Sequence, residues 1–338
     1  MLDKESIKKV DVKKMYKAYD SWPEIAEKSY NDKKIISDLG KFENIVFSGM
    51  GGSGAISDIF SAILSRKAIH TDIVKGYHLP KTVNHKSLVV ITSVSGNTVE
   101  TINILQQAIK AKAKIISFSS GGELEKISRE RKIEHIKIDM INSPRASLTK
   151  YLYVMLKNFE DVLPIKESEI QTSIQELKNT GERISSKNLT STNDALDLAK
   201  WIDKTPIIYY PWGLQSAAIR FKNSLQENSK MHVITEDVLE TSHNGIVPWE
   251  VQKNFCPILI RGDNDFIKTS ERWEIIKYFF EINEIEFKEI FSTESGILSK
   301  IVNLIYFLDY VSIYKAILLG IDPTPVNSID FIKKRIKN

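Results

Sequence analysis

The chain has 338 residues, of which 42% are hydrophobic, so it is long enough for two domains and too apolar for wholesale disorder. Its formal net charge is only +4, and its lysines alternate with acidic residues as on solvated helix faces. This charge balance gives no basis for predicting a nucleic-acid partner.

The single cysteine, Cys256, excludes an internal disulfide, and its apolar surroundings are typical of a buried small hydrophobe rather than a catalytic thiol. Residues 1–14 are charged and lack the apolar core of a signal peptide. No apolar run approaches the ~20 residues of a membrane span. We therefore predict a cytoplasmic protein without a membrane partner.

In the first half, a helical lead-in is predicted over residues 11–39, with a break around Trp22 and Pro23. Short apolar runs then alternate with amphipathic stretches, which is typical of a parallel sheet flanked by helices. We predict strands at 44–48, 87–92, 114–118 and 135–138, and helices at 55–65, 99–111 and 146–159.

Residues 167–193 are polar, as in an exposed helix or a connector, and the strand–helix alternation then restarts. We predict strands at 206–210, 231–234, 256–260 and 286–290, and helices at 215–228, 269–281 and 297–318. The prediction is an α/β protein with two similar subdomains, divided into segments 1–40, 41–160, 161–200 and 201–338.

The first strand runs into a glycine-rich loop that contains Gly49, Gly51 and Gly54. Glycines allow a tight turn with exposed N–H groups, and the following helix offers its positive end to an anion. The spacing also fits a dinucleotide fingerprint, which expects an acidic residue at the end of the next strand. The candidate strand at 71–75 has Asp72 near its start and ends on Lys75, so the ribose-binding acid is misplaced. We therefore predict a ligand-binding loop.

The next strand ends in three hydroxyl residues, Ser93, Ser95 and Thr98, around Gly96 and at the start of a helix. One hydroxyl would be an ordinary N-cap, but three with a glycine favour phosphate binding. Both loops follow neighbouring parallel strands, whose carboxyl ends form the ligand edge of α/β sheets.

Three further segments carry candidates for proton transfer. Glu227 ends an amphipathic stretch, and His243 stands in a polar loop that also contains Glu240. Arg145 precedes a predicted helix, where the helix dipole disfavours a cation, so we expect an anionic partner. Moving a proton between neighbouring sugar carbons needs a carboxylate base, a group that opens the ring and a cation near the developing oxyanion.

The two loops resemble the signature loops of sugar isomerase (SIS) domains. Together with Pro144-Arg145, Glu227-Asn228 and Ser242-His243-Asn244, they make the chain similar to the bifunctional phosphoglucose/phosphomannose isomerase family. The similarity runs from Trp22-Pro23 to residues 320–326. It implies two SIS subdomains with three α/β/α layers, a homodimer, and a cis-enediol route between glucose or mannose 6-phosphate and fructose 6-phosphate, without metal or cofactor.

The resemblance also implies roles for individual residues. Glu227 would move the proton between C1 and C2, His243 from the partner subunit would open the ring, and Arg145 would stabilise the enediolate. Lys333, or its neighbour Lys334, resembles a family lysine that points into the site. Thr324 would help to accept both C2 epimers. The phosphate and sugar would be held by Gly51, Gly52, Ser53, Ser93, Ser95 and Thr98.

Two alternatives remain open at this point. A non-catalytic sugar-phosphate sensor with SIS domains would bind the same ligands without forming a ketose. A nicotinamide-dependent dehydrogenase is supported by the glycine spacing alone. Assays of ketose formation and of nicotinamide binding distinguish these possibilities.

Overall fold

The computed structural model describes residues 2–336. Up to residue 159 three helices precede a region of strands and helices, which contains the predicted strands and helices and, in addition, a helix at Gly122–Glu130 that was not predicted. The elements are α1 (Lys4–Val10), α2 (Met15–Asp20), α3 (Trp22–Asn31), β1 (Asn44–Ser48), α4 (Gly52–Leu64), β2 (His70–Val74), β3 (Ser87–Ser93), α5 (Val99–Lys110), β4 (Lys114–Ser119), α6 (Gly122–Glu130), β5 (Glu134–Lys137) and α7 (Leu148–Phe159).

The second half adds four strands and seven α-helices within the described residues, together with a π-helix and a 3₁₀ turn. The elements are α8 (Glu167–Ile184), α9 (Asp194–Trp201), β6 (Thr205–Tyr210), α10 (Gln215–Ser224), the π-helix (Leu225–Ser229), β7 (Ile234–Asp237), α11 (Val238–Thr241), the 3₁₀ turn (Val247–Glu250), β8 (Phe255–Arg261), α12 (Ile267–Ile282), β9 (Lys288–Phe291), α13 (Ile297–Leu318) and α14 (Asn327–Lys333).

The chain forms two compact units. The five-stranded unit consists of residues 21–171 and the C-terminal segment from residue 327, and the four-stranded unit combines the N-terminal segment up to Asp20 with residues 172–326. The lead-in predicted over 1–40 is thus divided after Asp20, and the connector predicted over 161–200 is divided before Thr172.

In the five-stranded unit all strands are parallel, in the order β2-β1-β3-β4-β5. The central strand β3 is buried along its whole length, because helices cover both faces of the sheet. Val89 and Ile91 of this strand pack with Ile104 and Leu105 of α5 in one core cluster. The order reverses between β1 and β3, and this reversal sets the place where ligands bind to such sheets.

The four-stranded unit repeats the arrangement with parallel strands in the order β7-β6-β8-β9. Its longest helix, α13, is apolar and long enough to cross a membrane, but 89% of its most apolar window is buried inside the protein. It contacts α9, α10 and the π-helix and acts as the central helix of this unit. We expected no apolar run of this length from the sequence, and α13 corrects that expectation.

Three further expectations are corrected. The helix predicted over 215–228 is α-helical only to Ser224 and continues as the π-helix. The strand predicted at 231–234 lies at Ile234–Asp237. The break predicted around Trp22-Pro23 precedes Trp22, and Pro23 lies in the first turn of α3, where its missing N–H costs nothing.

Candidate functional site

The glycine loop joins β1 to α4 and depends on the absence of side chains. Gly51 has a φ of +54° and caps α4. A Cβ at Gly49 would lie 2.8 Å from the backbone carbon of Ser53. At Gly52, a Cβ would lie 3.4 Å from the Cα of Arg145, so the loop passes directly against the segment that carries this arginine. The glycines therefore bring loop and arginine backbones close together.

The hydroxyl loop joins β3 to α5, and its side chains divide into two groups. Ser93 is only 1% exposed; its Oγ accepts from the Gly96 N–H at 3.2 Å and donates to Thr98 Oγ1 at 3.1 Å. Ser95 is exposed, and Thr98 is half-buried at the N-cap without a side-chain capping bond. Ser93 thus shapes the loop, whereas Ser95 and Thr98 are accessible from outside it.

The two loops are held to each other and to the next loop of the sheet. Ser53, only 5% exposed, accepts a 3.3 Å hydrogen bond from the Val94 N–H. Ser120 donates to the Val94 carbonyl at 2.6 Å. Gly96, with a φ of +70°, lies so close to Gly121 that a Cβ would be 1.7 Å from its carbonyl oxygen. The hydroxyl loop is therefore rigid before any ligand arrives.

Both loops emerge at the reversal of strand order between β1 and β3. In open parallel sheets this is the crevice where ligands bind, and the N-termini of α4 and α5 both point to it. The predicted phosphate residues Ser53, Ser93, Ser95 and Thr98 are all found at this place in the five-stranded unit.

Arg145 and Lys333 belong to the same unit but differ in setting. Arg145 lies in the turn before α7 and is 4% exposed, beside Gly52 of the glycine loop. Lys333 ends α14, a helix whose residues are all at least partly exposed, and Lys334 follows it in an exposed turn. The structure thus joins Arg145 to the glycine loop, and both lysines are open to solvent.

Glu227 is the third residue of the π-helix and is half-buried. π-turns inside α-helices occur preferentially at functional sites, because the extra residue re-aims the following side chains. The neighbouring residues fix this turn: Asn228 donates to Ser312 Oγ and Ser229 donates to the Ser312 carbonyl, each at 2.8 Å. Helix α13 thus holds the segment that carries Glu227.

A buried ion pair stands next to Glu227. Arg220 and Asp309 are 2% and 0% exposed, and the Arg220 Nη2 lies 2.7 Å from Asp309 Oδ2. Burial alone would lower the pKa of Arg220, but the carboxylates of Asp309 and, more weakly, Glu227 raise it. Arg220 is therefore a cation in the neighbourhood of the segment that carries Glu227.

Residues 323–325, near the end of the four-stranded unit, lie beside the π-helix that carries Glu227. Lys230 has a φ of +58° and its ammonium group donates to the carbonyls of Glu227 and Pro323 and, at 2.7 Å, of Pro325. Thr324, half-buried between these prolines, donates its N–H to Asp322 at 2.9 Å. The four-stranded unit therefore brings Thr324 and Glu227 into one neighbourhood.

His243 lies elsewhere in the four-stranded unit. Helix α10 starts beyond the carboxyl end of β6 and runs back, so Glu227 lies about 18 Å along the helix axis from Gln215. Strand β7 then runs parallel to β6 and delivers the exposed His243 back to the carboxyl end. Within this unit, Glu227 and His243 thus lie at opposite ends of the sheet.

The sequence reasoning missed Arg220, Asp309 and Lys230 as parts of the Glu227 setting. Arg220 and Asp309 are 89 positions apart, and a lone charged residue in an apolar stretch was the available signal. Among residues 2–336, no group of three or more His, Cys, Asp or Glu side chains is arranged to hold a metal ion.

Comparison with known proteins identifies the family of this chain. A family model described as the bacterial phospho-glucose isomerase C-terminal SIS domain matches residues 191–336. The bifunctional phosphoglucose/phosphomannose isomerase of Caldicellulosiruptor bescii is 31% identical over 335 residues, covering 95% of this chain and 98% of that protein. This chain belongs to the bifunctional phosphoglucose/phosphomannose isomerase family. The family predicted from the sequence motifs is confirmed.

Other matches agree with this assignment. The bifunctional phosphoglucose/phosphomannose isomerase of Aquifex aeolicus is 29% identical over 93% of this chain and 97% of its own length. A solved structure of a glucose-6-phosphate isomerase like protein from Thermus thermophilus has a TM-score of 0.66 at 15% identity, with 99% of each chain covered. At this identity the match concerns the fold, and it confirms the predicted SIS architecture.

Proposed function

We propose that this chain is an aldose–ketose isomerase that interconverts glucose 6-phosphate and mannose 6-phosphate with fructose 6-phosphate. The observation that carries the proposal is the 31% identity, over nearly the whole of both chains, to a protein named for these two activities. A cytoplasmic location is part of the proposal.

The phosphate is proposed to bind the five-stranded unit at the reversal of strand order. The N–H groups of the two loops, the exposed Ser95 and the half-buried Thr98 provide donors, and the N-termini of α4 and α5 favour negative charge. Arg145, adjacent to Gly52, supplies the cation for the oxygen that becomes negative in the enediolate.

Glu227 is proposed as the base. It removes the proton from C2 of the open-chain aldose while the carbonyl at C1 accepts the electron pair as an enediolate. It then returns this proton to C1, while the C2 hydroxyl gives up its proton and the C1 oxygen takes one up, so that C2 becomes the ketose carbonyl and C1 carries a hydroxyl. The hydrogen bonds of Asn228 and Ser229 to α13 support this role, because they fix the segment that carries Glu227.

His243 is proposed to reach the site of a partner subunit and to assist ring opening there. Its position at the opposite end of the sheet from Glu227, together with its exposure, favours a composite site in a homodimer. Lys333 and Thr324 remain proposed contributors, the first to acid–base steps and the second to acceptance of both epimers.

A coupled assay with each hexose phosphate tests the activity. Glu227→Gln keeps the shape of the side chain but cannot accept a proton, so we expect turnover to fall by a factor on the order of 10²–10⁴ with KM largely kept. Glu240→Gln, in the His243 loop, is the matched control and should stay active. If the wild-type protein binds hexose phosphate but forms no ketose, the sensor alternative replaces the isomerase.

Mixing two inactive variants tests the composite site. If Glu227 and His243 of different subunits work together, dimers of Glu227→Gln with His243→Ala contain one intact site, and about a quarter of wild-type activity returns after subunit exchange. If both residues act from one chain, no intact site forms and the mixture stays inactive. The latter result would remove His243 from its proposed place.

A further inference from the structure

A cavity lies in the four-stranded unit, and none of its lining residues belongs to the proposed isomerase site. It has a volume of about 220 Å³, and four of its lining residues are lysines: Lys4, Lys8, Lys17 and Lys187. We call it the lysine cavity. Its polar lining also includes Asp20 and Ser186.

The local structure explains why the lysines converge. Lys4 and Lys8 are one turn apart on α1, so both point to the same side of the helix, and Ile7 between them is 1% exposed and anchors it. Lys17 comes from α2, and Lys187 from the turn after α8. Three separate segments thus contribute exposed lysines to the lining of one cavity.

The single lining carboxylate is already used. Asp20 accepts from the Ser186 N–H at 3.0 Å and from the Ser186 hydroxyl at 2.6 Å, and it also accepts from the Tyr310 hydroxyl. These bonds tie α2 to the wall of the cavity. Asp20 thus accepts three hydrogen bonds from Ser186 and Tyr310.

Three of these lysines are not neutralised by their surroundings. Lys4, Lys8 and Lys187 make no ion pair with any residue in the range 2–336. The lining residues together carry four ammonium groups and one carboxylate, a formal charge of +3, whereas the whole chain carries only +4. Like charges held together raise the free energy of the empty cavity, and a bound anion removes that cost.

We propose that the lysine cavity is a binding site for a small anion with two or more negative charges, such as a phosphorylated metabolite. The volume has room for about seven water molecules, which suits a pyrophosphate-sized group and excludes a folded macromolecule. The ammonium groups supply donors that phosphate oxygens accept. The site is independent of the hydroxyl loop, which belongs to the five-stranded unit.

Titration calorimetry with inorganic pyrophosphate at low ionic strength tests the proposal, because screening weakens exposed ion pairs at higher salt. The test variant is Lys8→Gln/Lys187→Gln, which leaves both loops of the five-stranded unit intact. The matched control is Lys9→Gln, an exposed α1 lysine outside the cavity lining. We expect the double variant to lose one pyrophosphate per chain, or to bind it at least tenfold more weakly, and the control to match wild type.

Thermal unfolding separates loss of the site from loss of the fold. Without anion, the double variant should unfold at the wild-type temperature or above, because two repelling charges are gone. With pyrophosphate, wild type and Lys9→Gln should gain more stability than the double variant. Identical isotherms and identical pyrophosphate-induced shifts for all three proteins would overturn the proposal.

Discussion

Gly96 has no space for a side chain. A Cβ there would lie 1.7 Å from the Gly121 carbonyl oxygen, and its φ of +70° is strained for any L-residue. We expect Gly96→Ala to lower the free energy of unfolding by about 2–4 kcal/mol and to weaken substrate binding through the displaced hydroxyl loop.

Denaturant unfolding and KM measure both effects. Gly76→Ala is the control, because its Cβ would meet nothing within 4 Å and its backbone is unstrained. Equal stability of the two variants would contradict the close approach of the loops.

His135 makes the stability of the five-stranded unit depend on pH. Its ring lies 2.8 Å from Ser117 Oγ and 3.3 Å from Ser119 Oγ, between β4 and β5. Burial lowers its pKa from 6.5, so the folded protein binds the proton more weakly than the unfolded chain. The stabilisation is therefore full above pH 6.5 and is lost as the pH falls through the lowered folded-state pKa.

Unfolding measured between pH 7.5 and pH 5 tests this sign. Wild type should lose free energy of unfolding relative to His135→Gln as the solution becomes acidic. His85→Gln, at an exposed position of the same unit, should keep the wild-type profile. A His135→Gln profile parallel to that of wild type would contradict the assignment.

At this scale, residues that cluster along the chain were predictable and residues that meet only in space were not. Ser93, Ser95 and Thr98 lie within six positions, so glycine and hydroxyl chemistry identified their loop. Arg220 and Asp309 lie on different helices, and their pairing depends on how α10 packs on α13. Residue type and spacing do not determine that packing, so the pair could not be predicted from the sequence.

Among the elements, the π-helix carries the greatest consequence for the site. The apolar pattern predicted one helix over 215–228, because a single extra residue per turn hardly disturbs the periodicity. Met231, the first residue of the strand predicted at 231–234, instead ends the π-helix, because its N–H donates to the Leu225 carbonyl. Strand β7 therefore starts at Ile234, and its polar residues are tolerated at the edge of the sheet.

The pairing of α10 with α13 gives a prediction about stability. Asp309→Asn leaves Arg220 as an uncompensated buried charge, and we expect a loss of about 3–5 kcal/mol in the free energy of unfolding. The double variant Arg220→Met/Asp309→Leu should lose less, because no charge remains buried.

A double-mutant cycle of Arg220→Met, Asp309→Leu and the double variant, followed by denaturant unfolding, measures this coupling. Additive effects of the two single substitutions would show that the pair is not coupled.

At the scale of the molecule, the α/β class and most strands followed from alternation of apolar runs and amphipathic stretches. Which segments make up each unit did not follow from this pattern. Helices α1 and α2 belong with residues 172–326 rather than with the strands that follow them in the chain. Their short apolar faces are equally compatible with any apolar surface. The packing partner of α2 is evident only in the folded core, where the ring of Tyr19 lies edge-on to that of Tyr310 of α13, with 6.1 Å between the ring centroids.

This discontinuity has a consequence for the protein during its synthesis. Helices α1 and α2 leave the ribosome first, whereas α13, their packing partner, is translated almost 300 residues later. At roughly 5–20 residues per second, the first twenty residues wait for about 15–60 s before their core exists. The strands of the five-stranded unit emerge during this interval as one uninterrupted stretch. The nascent chain therefore presents its earliest segment, with the lysines of α1 and α2, to the cell before that segment has a place in the fold.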